Sequence, residues 1–178
     1  MAQLEWSDAL NLDLPLMDDT HREFVDLLAV VAQADDAQLQ PAWQALVEHT
    51  EQHFGQEDAW MASTRFASGN CHSMQHRVVL QVMREGAARA AQGDLQVLRV
   101  MASELALWFP QHAQSMDAAL ALHLRRVGFD PATGVVHAPQ ALPGELIHGC
   151  GGATCSDADL GEEPVADGTH SARQAAVA

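Results

Sequence analysis

His53 and Glu57 stand four residues apart in a stretch, 41–64, that has long apolar runs and no internal proline. An α-helix turns about 100° per residue, so the two side chains share one face, one turn apart. An imidazole and a carboxylate so placed can grip a metal ion. Alone the pair carries little weight, because a surface contact at this spacing is worth only about 0.3 kcal/mol and recurs in many helices. Its company changes that. His72 and His76 repeat the one-turn spacing in the next helical segment, His112 and Asp117 stand five apart in the one after, and His21 opens the segment before. Four successive segments thus supply five imidazoles and two carboxylates.

The donor types point to the metal. Imidazole mixed with carboxylate suits iron, whereas zinc usually stops at four ligands and magnesium or calcium prefers oxygen throughout. Seven donors over-saturate a single ion. Two octahedral irons fit them better: five imidazoles, two bridging carboxylates and one oxo or hydroxo bridge fill every position but one. A pair of ferrous ions with one vacancy, in a dry interior, can bind one diatomic molecule and give it two electrons. The chemistry expected is reversible dioxygen binding.

Such a site needs elements that bring the donors together. The apolar spacing predicts four helices and an all-α, up-down-up-down antiparallel four-helix bundle. Residues 1–17 read as an N-terminal arm, with Leu10, Leu12, Leu14 and Leu16 apolar and Pro15 barring a helix through it. The first helix is expected from the capping cluster Asp18-Asp19-Thr20 to about Gln33, with His21 one turn before Phe24 and Val25. The second runs from Pro41 to Thr64, and the third from an Asn70 cap to about Ala91, ending at Gly93. The fourth is capped by Asp94, kinked by Pro110 just before His112, and ends near Val127. The bundle thus spans 18–128. Residues 129–178 hold seven of the twelve glycines, four of the seven prolines and seven acidic residues against Arg173, which predicts a disordered or loosely draped tail.

Composition narrows the partners. The net charge is −15, with 24 acidic residues against nine basic ones, all of them arginine. Nucleic acid and anionic membrane surfaces demand positive patches, so neither is expected as a partner. No stretch approaches about 18 consecutive apolar residues, and the N-terminus lacks the pattern of a secretory signal. Three cysteines make no disulfide framework, and the chain reads as cytoplasmic.

The set His21, His53-x-x-x-Glu57, His72-x-x-x-His76, His112-x-x-x-x-Asp117 resembles the hemerythrin family, in particular its bacterial single-domain members. The likeness covers about residues 6 to 127 and departs from the family pattern at Pro110 and in the long tail. It implies that His72, His76 and His112 hold the coordinatively full iron and that His21 and His53 hold the one with the vacancy. Glu57 and Asp117 would bridge them, and Phe24, Phe54, Trp108 and Phe109 would line the oxygen pocket. The expected role is to store, deliver or sense dioxygen as a monomer, with a separate protein partner if it senses. The alternative is a diiron oxidoreductase acting on peroxide or nitric oxide. Tyrosine is absent, which excludes tyrosyl-radical chemistry. The remaining polar residues receive plainer readings. His49, one turn before His53 on the same face, is read as an ordinary helix-end histidine, with a group supporting the ligands or an alternative ligand as the other reading; Cys71 is taken as a small buried residue, and Met61, Met74, Met83, Met101 and Met116 as core filler. His123, His137 and His170 match nothing, and His148, Cys150 and Cys155 belong to the flexible tail.

Overall fold

A computed structural model describes residues 4–66 and 71–147. Helix α1 (Pro15–Gln33) begins earlier than Asp18. Proline suits a first turn, because its missing N–H is one that the helix leaves unpaired there. Asp18 is buried and its carboxylate turns back to accept the backbone N–H groups of Leu12 at 2.7 Å and Leu14 at 3.1 Å. The residue expected to open the helix therefore fastens the arm to it.

Helix α2 (Leu39–Ser63) carries Pro41 in its first turn. It ends in a left-handed residue, Arg65 with φ 59°, and the Phe66 N–H reaches back to the Met61 carbonyl at 2.9 Å. This is a Schellman-type stop with arginine where glycine is usual. Helix α3 (Cys71–Ala90) follows, its expected cap, Asn70, lying outside the described residues. Gly86 lets α4 come close: a Cβ there would lie 2.3 Å from the Met101 sulfur. Helix α4 (Gln96–His112) is not capped by Asp94, whose carboxylate instead pairs with Arg89. It runs through Pro110 without a break and passes into a π-helical segment, Ala113–Asp117, and then α5 (Ala118–Arg126). The disturbance expected at Pro110 takes the form of a change of winding three residues later.

Helices α1 and α2, α2 and α3, α3 and α4, and α4 and α1 pack in a closed ring, an up-down-up-down antiparallel four-helix bundle. Its apolar interior falls into two clusters. One, with Phe24, Leu28, Trp43, Met83, Leu98 and Phe109, fills the end nearest the α1–α2 and α3–α4 turns. The other, with Met17, Trp60, Met61, Leu120 and Leu124, fills the opposite end. The candidate ligands fall between them along each helix that touches both. His21 lies between Met17 and Phe24, His53 and Glu57 between Val47 and Trp60, and His112 and Asp117 between Phe109 and Leu120. Burial of each large side chain at either end contributes roughly 1.5–3 kcal/mol, which is what holds a polar middle layer shut.

Residues 129–147 differ from the loose tail that composition suggests. Strands β1 (Phe129–Asp130) and β2 (Val135–Val136) form a small antiparallel hairpin. Phe129 is buried edge-on to Trp60, and the Ile147 N–H donates to the Arg65 carbonyl at 3.2 Å. A few aperiodic apolar residues suffice to seat this segment on the second cluster. His148, Cys150, Cys155 and His170 lie outside the described residues.

Candidate metal centre

All seven predicted donors meet in the middle layer, each 3% exposed or less. They form two sets that share both carboxylates: Glu57, His72, His76, His112 and Asp117, and His21, His53, Glu57 and Asp117. Each carboxylate divides its oxygens between the sets. Glu57 Oε2 lies 3.4 Å from the Nε2 atoms of both His72 and His76, while its Oε1 lies 3.1 Å from His53 Nε2 and 3.7 Å from His21 Nε2. Asp117 Oδ1 lies 2.9 Å from His72 Nε2 and 3.2 Å from His112 Nε2, and its Oδ2 faces His21 Nε2 at 3.3 Å. Metal–nitrogen bonds of about 2.1 Å put neighbouring ligands of one octahedral ion roughly 3 Å apart, the spacing seen here.

The five-residue step from His112 to Asp117 needs the π-helical segment. Five residues of α-helix turn through about 500°, which would leave Asp117 some 140° round from His112. The wider turn of Ala113–Asp117 brings the two to one face, both buried.

The donor atoms are short of partners. Both nitrogens of His21 and of His72, Nδ1 of His53, Oε2 of Glu57 and both Asp117 oxygens are buried without hydrogen-bond geometry to any partner among the described residues. Each such group costs about 1–3 kcal/mol unless something compensates it. The Nδ1–H of His76 donates to Asp58 Oδ1 at 3.1 Å and that of His112 to Gln75 Oε1 at 3.2 Å, so their Nε2 lone pairs meet at 3.3 Å. That meeting calls for a cation, proton or metal, among them. The residues present therefore fit a buried cation site.

Electrostatics says what occupies such a cluster before metal arrives. Burial alone would lower His21, but Asp117 and Glu57 outweigh it and raise the imidazole to about 10. The same contest raises His72 to about 9, and Asp58 with Glu57 raises His76. Burial works against ionising Glu57, yet the histidines around it, His53 first, hold it well below the carboxylate range. Asp117 is held down as well, since His112 and His21 overcome both its burial and the nearby Glu57. At neutral pH protons on the imidazoles thus balance the two carboxylates, and a metal must displace them.

A family model described as Hemerythrin HHE cation binding domain matches residues 12–122. The chain belongs to the hemerythrin family. It is similar to the bacteriohemerythrin of Ralstonia nicotianae, 39% identical over 130 residues that cover 73% of this chain and 95% of the relative. The bacteriohemerythrins of Pseudomonas paraeruginosa and Stenotrophomonas maltophilia are each 25% identical, over 66% and 68% of this chain and 79% and 81% of theirs. No solved structure matches the chain significantly.

Within this hemerythrin bundle the four aromatic residues expected at the pocket are placed unequally. Phe109 meets His21 edge-on, with centroids 5.2 Å apart, and Phe24 stacks on Phe109 at 4.5 Å. Phe54 lies flat on His76 at 4.0 Å while tilting toward His53 at 5.2 Å, and Trp108 stacks on His112 at 4.4 Å. One ring thus meets His21 with a second stacked on it, one spans both sets and one backs the three-histidine set.

Asp58, Gln75 and His123 escaped sequence reasoning. Asp58 and Gln75 fix the tautomers of His76 and His112, and their adjacency to Glu57 and His76 was the only available sign. His123 is buried, its Nε2–H donates to the Thr64 carbonyl at 3.0 Å, and burial lowers its pKa, so the neutral ring ties α5 to the end of α2. His49 is more than a helix-end residue: its Nε2–H donates to the Thr20 carbonyl at 3.1 Å and its ring centre lies 6.0 Å from that of His53. Cys71 is only partly buried and Met74 is exposed, unlike the core roles expected of them.

Proposed function

We propose that this chain is a non-haem diiron protein that binds dioxygen reversibly at one open iron position. The observation that carries the reading is the division of Glu57 and Asp117, each with one oxygen toward His72, His76 and His112 or their neighbours and the other toward His21 and His53. On this reading His72, His76 and His112 hold one iron, His21 and His53 hold the other, and both carboxylates bridge them. With an oxo or hydroxo bridge the first side would have six donors and the second five, which would leave the open position to the side that His21 and His53 hold. When loaded, the two ferrous ions supply two electrons and a single open position to a diatomic molecule.

The chain's own residues supply placement and dryness. Phe24, Phe54 and Phe109 are each at most 1% exposed; Phe109 meets His21 with Phe24 stacked on it, Phe54 tilts toward His53, and Trp108 backs His112. Such walls keep water and protons from the face of the open side that they cover, which favours return of dioxygen over oxidation of the centre. Asp58 and Gln75 hold two ligand rings in register. The name bacteriohemerythrin carried by the relatives agrees with this reading. We place the protein in the cytoplasm as a monomer, serving storage, delivery or sensing, the last with a separate protein partner.

The test is an absorption spectrum of the iron-loaded protein through repeated cycles of air and oxygen removal. The expected result is a charge-transfer band that appears in air, bleaches when oxygen is withdrawn and returns over many cycles. A band indifferent to oxygen, or sustained consumption of hydrogen peroxide or nitric oxide, would favour the diiron oxidoreductase instead.

A further inference from the structure

We propose that a polar cleft between α1 and α2 is the port through which a divalent metal ion reaches the buried centre, with Glu23 and His49 as its outer docking pair. The inference rests on the reading of the centre as a metal site. All seven donors are sealed from solvent, so an ion needs a way in. On one side a largely apolar groove is lined by Val78, Val82, Met101, Leu105 and Trp108, with Glu104 as its one charged side chain. An ion in that groove would lose its hydration against a single carboxylate and otherwise apolar walls, at a high cost.

The cleft on the other side, of about 220 Å³, is lined by Thr20, Glu23, His49, Gln52, His53 and Gln56. Every one of these carries an oxygen or nitrogen that can replace a water of hydration. The innermost is His53, a member of the centre, 3% exposed, whose Nδ1 is buried and unpartnered. At the mouth the Thr20 carbonyl can only accept, so it fixes the His49 proton on Nε2. The lone pair of Nδ1 is thereby turned to the solvent-facing side, 3.6 Å from Glu23 Oε2. An imidazole nitrogen and a carboxylate oxygen at that separation can share one ion, close to the roughly 3 Å expected between neighbouring ligands. Glu23 is 70% exposed and free to meet a hydrated cation first. The sequence of donors, from exposed carboxylate through half-buried imidazole and amides to a buried ligand, lets water be exchanged stepwise.

The port is tested on the metal-free full-length protein by following anaerobic uptake of ferrous ion and its later removal by a ferrous chelator. One variant combines Glu23→Gln with His49→Gln. A second, Gln52→Arg, sets a positive charge on an exposed position of the cleft and leaves both docking residues in place. Each should slow uptake by about tenfold, the scale on which a charged cleft governs encounter with an ion. Removal should slow by the same factor, because one path serves both directions. Final iron content and absorption spectrum should match the wild type. Wild-type rates in both variants would overturn the port alone, as would slower uptake accompanied by lost iron content, which would make the pair part of the centre. A wild-type protein that takes up no iron would overturn the reading of the centre, and the port with it.

Discussion

Behind His76 and His112 stand Asp58 and Gln75, holding their Nδ1 atoms at 3.1 and 3.2 Å, with Phe54 and Trp108 stacked flat on the rings. Behind His21 and His53 neither Nδ1 has a polar partner among the described residues, and Phe109 meets His21 at an interplanar angle of 89°. The same two carboxylates therefore join a braced half to an unbraced one. A ring held by a hydrogen bond at its back and a stack on its face cannot swing, and its metal is fixed with it. A ring held only by packing can adjust, which suits the half that must accept and release a ligand. His72 is the exception in the braced half, since its Nδ1 is also unpartnered. Its Nε2 lies near both carboxylates, at 2.9 and 3.4 Å, which fixes it from the front.

The largest effect should come from what the halves share. Asp117→Ala removes a donor from each set at once, and metal analysis should show affinity for both ions reduced beyond the roughly 100-fold that marks a merely supporting residue. Retention of one tightly held ion would separate the halves and break the account of Asp117 as a bridge. His53→Ala acts on one half only, so the protein should keep the iron of the braced side, read as one ion per chain. Loss of both would mean that the braced half does not stand alone.

A pH series on the metal-free protein separates the protons of the centre from its metals. His21 and His72 are raised, so their contribution to stability is complete below the ordinary histidine range and is lost as pH climbs through about 9 and 10. Glu57 and Asp117 are lowered, so theirs is present above the ordinary carboxylate range and lost as pH falls well below it. Denaturant midpoints should form a plateau between the ordinary carboxylate and histidine ranges, with a fall on either side. Loading with iron should remove the alkaline fall, because metal then takes the place of those protons; an alkaline fall that persists would contradict that exchange. The smallest effect is expected from Asp58→Asn, which keeps the size of the side chain and weakens the grip on His76. It should reduce metal affinity by about tenfold, in the braced half alone. An equal effect on both ions would erase the contrast between the halves.

His53 with Glu57, and His72 with His76, were legible because helical spacing decides which side chains can share a face. The step from His112 to Asp117 is the instructive case. Its five residues do not fit an α-helix, and nothing in Ala113–Asp117 announces the wider turn that makes them fit. The start of α1 was misjudged at Asp18 because an acidic residue can cap forward or fasten backward, and only the fold shows which N–H groups it meets. Asp58 and Gln75 look like surface residues in the sequence, since their role depends on how α2, α3 and α4 are rotated against one another. The same rotation decides that Trp108 backs His112 while Phe109 meets His21. Residues 129–147 were hidden for another reason: Phe129 and Ile147 anchor them singly, without a periodic pattern to read.

The central claim is that two ions share Glu57 and Asp117. Anaerobic titration of the metal-free protein with ferrous ion, followed by removal of unbound metal and counting of iron per chain, tests it most directly. The account predicts saturation at two irons per chain. Saturation at one, or preferential retention of zinc over iron, would contradict it.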